Sequence, residues 1–323
     1  MRRVLVTGIT GQDGGYLCER LLAEGAEVHG IATGVSLPDA ERPWLTGATV
    51  HELNIAESAP VQDLLAQVRP DEIYNLAAIS SVARSWEHPV ETSEVNALAV
   101  AGLLEAADRL RRDGQDVRFV QASSAEIFGL AEHSPQDEHT AIRPANPYGA
   151  SKAYAHHLVD VYRHRGLHAS ATILYGHESV RRPATFVTRK ITSTVAAIVA
   201  GTADALVLGA LDVYRDWGWA PEYVEAMMLA ARHDEPGDYV IATGRSHSIA
   251  EFVEAAFTHA GIQDYQRYVT SDEAFRRPTD AAAQCGDPTR AGQILGWRPQ
   301  VVFPEVAYRM VEADLAAAGV SRP

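Results

Sequence analysis

Cysteine is scarce in this chain: Cys18 and Cys285 are the only two in 323 residues. Two thiols so far apart give neither a disulfide framework nor a metal-ligand spacing, so both read as reduced packing residues and no metal site is expected. Long hydrophobic runs are missing as well. The chain passes from Met1-Arg2-Arg3 into Val4-Leu5-Val6 and a glycine turn, with no apolar stretch long enough for a signal peptide or a membrane helix. The expected compartment is the cytoplasm, with no membrane partner. Positive charge is in deficit, since 28 Lys and Arg face 42 Asp and Glu for a formal net charge of -14. That balance disfavours nucleic acid, and any phosphate site must be built locally.

What is present is an ordinary globular composition, 46% hydrophobic and 22% charged. The length suits a large α/β unit with a smaller appended lobe. From Arg3 to about Gly176, the strand-like runs VLVTG, EVHGIA, DEIYNLAA, RFVQASS and ASATILYG alternate with helical patterns. Such alternation predicts a Rossmann-like, doubly wound parallel sheet wrapped by helices. Leu103, Leu104, Ala107 and Leu110 fall on one helical face that should pack on the sheet. The stretch from Ser36 to Thr49 reads as a loop, and DYVIATG at 238–244 as a late strand returning to the sheet. A dinucleotide-binding domain is therefore expected over 1–175 plus about 220–244. The smaller C-terminal α/β substrate lobe takes about 176–219 and 245–323, capping the carboxyl edge of the sheet where ligands bind in this architecture.

Directly after the first strand, Thr7-Gly8-Ile9-Thr10-Gly11-Gln12-Asp13-Gly14 opens into a helix pattern. Glycines at that spacing let backbone approach a pyrophosphate at a helix N-terminus. The bland alternative is a glycine turn without a ligand, but strand, turn and helix fall in the order a dinucleotide site needs. Gly8, Thr10, Gly11, Gln12, Asp13 and Gly14 are thus cofactor candidates. The second strand ends in Ala32-Thr33-Gly34, with neither the acid that marks NAD nor the arginine that marks NADP, so both cofactors stay open. Asn54 is either an adenine contact or a turn residue.

Tyr148 and Lys152 stand at i and i+4 on one predicted helix face. A neighbouring ammonium is expected to depress the phenol's pKa, so that the phenolate takes a hydroxyl proton as hydride leaves for a nicotinamide. Alone, such a pair is usually an ordinary surface feature. Its position decides otherwise, because about 20 residues upstream lies the strand end QASSAEIFG. There Ser124 can hydrogen-bond the reacting oxygen and Glu126 can move protons beside a ketone, whereas Ser123 reads as packing.

These residues resemble the extended short-chain dehydrogenase/reductase family and, within it, the GDP-mannose 4,6-dehydratases. The likeness runs from TGITGQDG through PDEIYNLAA, ASSAEIFG, NPYGASK, HESVRRPATFVTRK, LDVYRDWG, EYVEAMM and HSIAEFVE to RRPTD and GDPTRAGQILGWRP. It implies an internal redox reaction: carbon 4 of the hexose is oxidised, water leaves across carbons 5 and 6, and the stored hydride returns to carbon 6. It also implies roles. Tyr148 is the base at the 4-hydroxyl, Lys152 tunes it, Ser124 stands where the family has a threonine, and Glu126 takes the carbon-5 proton. Ala77 joins the cofactor set. Ser80, Glu178, Val187, Arg189, Lys190, Arg215, Arg277 and Asp280 form the nucleotide-sugar set, with Arg215 and Arg277 near the diphosphate or base. Arg181 and Arg182 are equally readable as surface ion pairs, His177 and Glu178 as a loop tie, and Trp217 as filler between lobes.

Four departures bear on substrate and cofactor. Thr33 and Gly34 replace the family's paired arginines, and Gly176, Ala210 and Ser81 replace two asparagines and a histidine. Relatives pair through helices at about 92–112 and 151–165, so a homodimer is expected, with a tetramer open. Tyr154, His156, Leu158, Val159 and Val161 could supply its seam. The leading expectation is a nucleotide-sugar 4,6-dehydratase, converting GDP-mannose or another GDP-hexose with NADP or NAD. The alternatives are a GDP-deoxyhexose 4-reductase or epimerase, and a non-catalytic dinucleotide-binding regulator.

Overall fold

The computed structural model describes residues 1–34, 42–272 and 283–321. Its strands are β1 (Arg3–Thr7), β2 (Glu27–Ala32), β3 (Thr49–Glu52), β4 (Glu72–Asn75), β5 (Arg118–Ser124), β6 (His168–Leu174), β7 (Gly176–Glu178), β8 (Leu206–Leu208), β9 (Tyr214–Trp219), β10 (Asp238–Ile241), β11 (Ser246–Ser248) and β12 (Val269–Ser271). Its helices are α1 (Gln12–Ala23), α2 (Ser58–Val68), α3 (Val82–Glu87), α4 (Pro89–Ser93), α5 (Ala99–Arg112), α6 (Pro147–His164), α7 (Val187–Val199), α8 (Ala220–Arg232), α9 (Ile249–His259) and α10 (Glu305–Ala317).

Seven strands form one parallel sheet in the order β10-β6-β5-β4-β1-β2-β3. The order reverses direction between β1 and β4, the crevice where α/β sheets bind ligands. Parallel strands covered on both faces carry continuous apolar runs, which is why Val4, Leu5 and Val6 are all fully buried. One face packs on α1 and α8 through Leu17, Leu21, Val224 and Met227. The other packs on α2, α5 and α6 through Leu64, Leu65, Leu103, Leu104, Ala107 and Val159. The predicted face of α5 is therefore the one buried.

Between the ends of these strands and the remaining helices lie two small sheets, β11-β9-β7 and β12-β8. Here α7, α9 and α10 enclose a separate apolar core around Trp217, Phe252, Phe257 and Met310. Part of the expected loop at 36–49 is ordered differently. Pro43–Leu45 forms a turn of 3₁₀ helix and β3 begins at Thr49, while 35–41 lies outside the described residues.

The expected dimer seam divides in two. His156 (7% exposed) and Val159 (0%) are spent on the chain's own interior, whereas Tyr154 and Val161 stay 46% and 53% exposed. Among the described residues no helix is long and apolar enough to cross a membrane, and no His/Cys/Asp/Glu group could hold a metal ion.

Candidate active site

The glycine turn opens the site. Gly8 takes φ +69°, and a Cβ there would lie 2.9 Å from the backbone of Ala77, so the β1 and β4 ends touch through glycine alone. A Cβ on Gly14 would fall 2.3 Å from the Gly8 carbonyl oxygen, which explains the third glycine as close helix–strand packing. Gly11 is the N-cap of α1 and supplies no side-chain cap, leaving the first amides of a twelve-residue helix available. Free donors, a helix dipole and no side chain across the turn fit a pyrophosphate.

The side chains of Gln12 and Asp13 turn elsewhere. Asp13 Oδ2 is 2.8 Å from His177 Nε2, Gln12 Nε2 donates to the His177 carbonyl at 3.2 Å, and Ser179 Oγ donates to Gln12 Oε1 at 2.8 Å. Burial works to raise the Asp13 carboxyl, but the His177 charge and hydrogen bond overcome it and hold the group below its ordinary value. His177 is pressed downward by burial and carried upward, on balance, by Asp13. His177 therefore ties the glycine turn, not Glu178. Glu178 itself, 2% exposed, accepts from Thr188 Oγ1 at 2.7 Å and pairs with Arg182 Nε at 3.1 Å.

A buried polar chain crosses the sheet from this turn to the predicted redox pair. Thr7 Oγ1 takes the amide protons of Leu76 and Ala77 at 3.1 Å each and donates to Asn75 Oδ1 at 2.6 Å. Asn75 Nδ2 donates to Gln121 Oε1 at 2.8 Å, and Gln121 Nε2 to the Ala122 carbonyl at 2.9 Å. The Lys152 ammonium donates to that same carbonyl. Such chains polarise one another and fix their members' rotamers.

Pro147 at the first turn and Asn146 at the N-cap start α6, with Asn146 Oδ1 accepting from Gly149 N at 2.7 Å. Tyr148 and Lys152 thus sit in its first two turns, both buried, at the carboxyl end of β5. Tyr148 shares a hydrogen bond with Ser124. Here the structure departs from expectation: burial pushes the phenol up to about 12, against the downward pull of Ser124 and Arg182. Burial also draws the Lys152 amine down to about 8. Desolvation penalises both charged forms and is the largest influence on each.

Glu126 follows in a 3₁₀ turn capped by Ser124, whose Oγ accepts from Glu126 N at 3.3 Å. Its carboxylate is held on both sides, Oε2 by Asn146 Nδ2 at 2.8 Å and Oε1 by Gln284 Nε2 at 2.9 Å. Ser123 Oγ is buried without a partner.

The remaining predicted residues spread around this centre. Asn54 Oδ1 accepts from Ala56 N at 3.0 Å, the turn half of its two readings. Ser80 is exposed, next to Ser81, which caps α3 through Arg84 N at 3.2 Å. Val187, Arg189 and Lys190 occupy the first turn of α7; Arg189 pairs with the buried Asp314 at 2.7 Å and donates to the Val180 carbonyl. Arg215 donates to the Tyr214 carbonyl at 2.8 Å on β9. Arg277 and Asp280 lie outside the described residues. Neither Arg181 nor Arg182 is a plain surface ion pair: Arg181 stacks between Tyr16 and Trp44 while pairing with Glu19, and Arg182 covers the Phe186 ring. Trp217 packs edge-on against Phe252 inside the second core.

Sequence reasoning missed Asn75, Gln121, Asn146 and Gln284, and left Arg182 open between a site residue and a surface ion pair. Each is a buried or half-buried polar side chain whose role depends on what it faces. The only local signals were Asn before Pro at a helix start and a lone amide after an alanine run.

Comparison with known proteins accords with this geometry. The family profile described as GDP-mannose 4,6 dehydratase matches residues 5–310. A GDP-mannose 4,6-dehydratase of Vibrio cholerae is 38% identical over 98% of this chain and 95% of its own length. GDP-mannose 4,6 dehydratase 1 of Arabidopsis thaliana is 40% identical over 97% of this chain and 90% of its own. The human GDP-mannose 4,6 dehydratase is 40% identical over 96% and 91%. Among solved structures, a Thermus thermophilus UDP-glucose 4-epimerase complexed with NAD superposes with TM-score 0.84 at 28% identity, covering 98% of this chain and 99% of that one.

Proposed function

Because this chain belongs to the GDP-mannose 4,6-dehydratase family, it is a nucleotide-sugar 4,6-dehydratase, and we propose that its substrate is GDP-mannose and that Ser124, Glu126, Tyr148 and Lys152 carry the reaction. NAD or NADP supplies the reversible uptake of two electrons when bound against the turn at 8–14. The chain's own residues do the rest. Tyr148, in its phenolate form, takes the proton of the 4-hydroxyl and Ser124 holds that oxygen in place. Lys152, charged below about pH 8 and anchored to the Ala122 carbonyl, offsets negative charge on the phenol as it ionises.

With carbon 4 a ketone, the carbon-5 proton is acidified and Glu126 removes it. The electron pair becomes the carbon 5–carbon 6 double bond, and the 6-hydroxyl leaves with the proton Glu126 took, as water; the two electrons stored at the oxidation would then return to carbon 6 as hydride while carbon 5 takes a proton, leaving no net change in the cofactor. The observation that carries this reading is a carboxylate held by two amides at one end of the helix bearing Tyr148. A 4-epimerase or 4-reductase needs no such base. The same reading assigns 1–175 with about 220–244 to the cofactor and about 176–219 with 245–323 to the sugar nucleotide, where Glu178, Val187, Arg189, Lys190, Arg215, Arg277 and Asp280 belong, with Ser80 reaching the sugar from the first unit. The second apolar core, around α7, α9 and α10, supports that division.

The chain pairs as a homodimer through α5 and α6, a reading supported by the exposed Leu98, Tyr154 and Val161. Free thiols at Cys18 and Cys285 support a reducing compartment, the cytoplasm.

The test is to incubate the protein with GDP-mannose and catalytic NAD or NADP and to follow the sugar nucleotide by mass spectrometry. Loss of one water without net cofactor turnover is expected, and Glu126→Gln should stop it. Stoichiometric cofactor consumption, or epimerisation at constant mass, would sink the reading.

A further inference from the structure

We propose that Gln284 is a positioning residue for Glu126, completing with Asn146 a two-sided amide clamp that aims the carboxylate at carbon 5; this rests on the reading of Glu126 given above. A free glutamate side chain rotates about its last bond through a broad torsional range. Here each oxygen already accepts one amide proton, Oε2 from Asn146 at 2.8 Å and Oε1 from Gln284 at 2.9 Å, which fixes the plane of the carboxylate. Each oxygen keeps a second lone pair, so the clamp orients the base without consuming it.

The two clamps come from distant parts of the chain and are themselves immobilised. Asn146 (6% exposed) is locked by capping α6, so its amide nitrogen cannot turn away without uncapping the helix that carries Tyr148. Gln284 (9% exposed) stands on a segment pinned on several sides. Its backbone N–H donates to the Tyr214 carbonyl at 3.2 Å, and the neighbouring Ala283 bridges the same residue. Gln136 N donates to the Cys285 carbonyl at 2.8 Å, and Gly286 N to the buried Asp216 carboxylate at 3.3 Å. Gly286 lies flat on the Tyr175 ring, where a Cβ would come within 2.6 Å of a ring carbon. The Gln284 side chain is delivered from the segment beside β9 onto the acid at the end of β5.

In the elimination the carbon-5 proton passes to Glu126, the electron pair closes the carbon 5–carbon 6 double bond, and hydroxide departs with that proton as water. The oxidation at carbon 4 uses Tyr148 and does not pass through the clamp. Gln284 therefore acts on the elimination and not on the oxidation that precedes it, which a general structural role would not do.

The experiment is single-turnover reaction of the full chain with GDP-mannose and NAD or NADP, following nicotinamide reduction optically. Water loss, and deuterium uptake at carbon 5 from heavy water, are followed by mass spectrometry. Gln284→Leu should slow water loss and deuterium uptake about 10- to 100-fold, the range expected when a reacting group loses its alignment, with a far smaller effect on nicotinamide reduction. Gln284→Glu, nearly identical in shape, places a second carboxylate against Glu126 and should move the acid limb of the elimination step to higher pH. The inference fails if both steps fall together in Gln284→Leu, if water loss is unaffected, or if the acid limb of Gln284→Glu coincides with wild type. Should Gln284→Leu not fold, as judged by its melting curve, Gln284→Glu alone decides. Water loss surviving in Glu126→Gln would instead overturn the assignment of the acid, whatever Gln284 does.

Discussion

The Asp13 carboxylate and the His177 imidazole meet at 2.8 Å, joining the first turn of α1 to β7 across 164 residues of chain. Folding holds Asp13 below its ordinary 3.8 and raises His177 above 6.5. The two signs bracket a window. The Asp13 share is present above 3.8 and lost as pH falls through its lowered pKa; the His177 share is complete below 6.5 and lost as pH rises through its raised pKa. Asp13→Asn should therefore lower the melting temperature most between about pH 4 and 6.5, with the deficit shrinking at alkaline pH. A uniform deficit across pH, measured by calorimetry, would contradict the pairing.

Lys152 gives the opposite dependence. Its folded pKa of about 8 lies below the ordinary 10.5, so the unfolded chain holds the extra proton between those values and stability rises with pH there. Relative to Lys152→Met, wild type should gain up to about 3 kcal/mol from pH 8 to 10.5 in urea titrations. Dehydratase activity of the methionine variant should fall at every pH.

Two glycines separate crowding from backbone strain. At Gly14 a Cβ would meet the Gly8 carbonyl at 2.3 Å and Ile9 Cα at 2.6 Å, so Gly14→Ala must displace the turn. It should cost about 3 kcal/mol and abolish dinucleotide binding by equilibrium dialysis. Gly25, at φ +76° with nothing within 4 Å, should lose only about 1 kcal/mol on change to alanine and bind the dinucleotide normally.

Association can be tested at α6. Val161 is 53% exposed and Tyr154, two turns away on the same side, 46%. Val161→Glu should convert a dimer to monomers in sedimentation velocity while leaving the monomer's melting curve within about 0.5 kcal/mol of wild type, since the position touches no buried network.

The sequence made the large sheet legible because parallel strands are buried on both faces and write themselves as runs such as Val4-Leu5-Val6. The short strands β7, β8, β11 and β12, three residues each, are too brief to carry a period and were invisible. Tyr148 and Lys152 were readable from spacing, since one helix places them together. Gln284 was not, because nothing in Ala283-Gln284-Cys285 says that its amide faces an acid 158 residues away. The Tyr148 phenol was misjudged in direction for a related reason: spacing reports the neighbouring charge but not the depth of burial that opposes it.

Lys152 and Lys190 are the only lysines in the chain. One of them is 4% exposed on α6, its nitrogen held by the Ala122 carbonyl. Amine acylation and crosslinking, which on most proteins scatter over many surface sites, can therefore strike only these two side chains and the chain's amino terminus. An isotope-labelled methyl placed on each nitrogen would give a spectrum of two assignable side-chain signals, one of them a resident reporter of ligand arrival at the reacting centre.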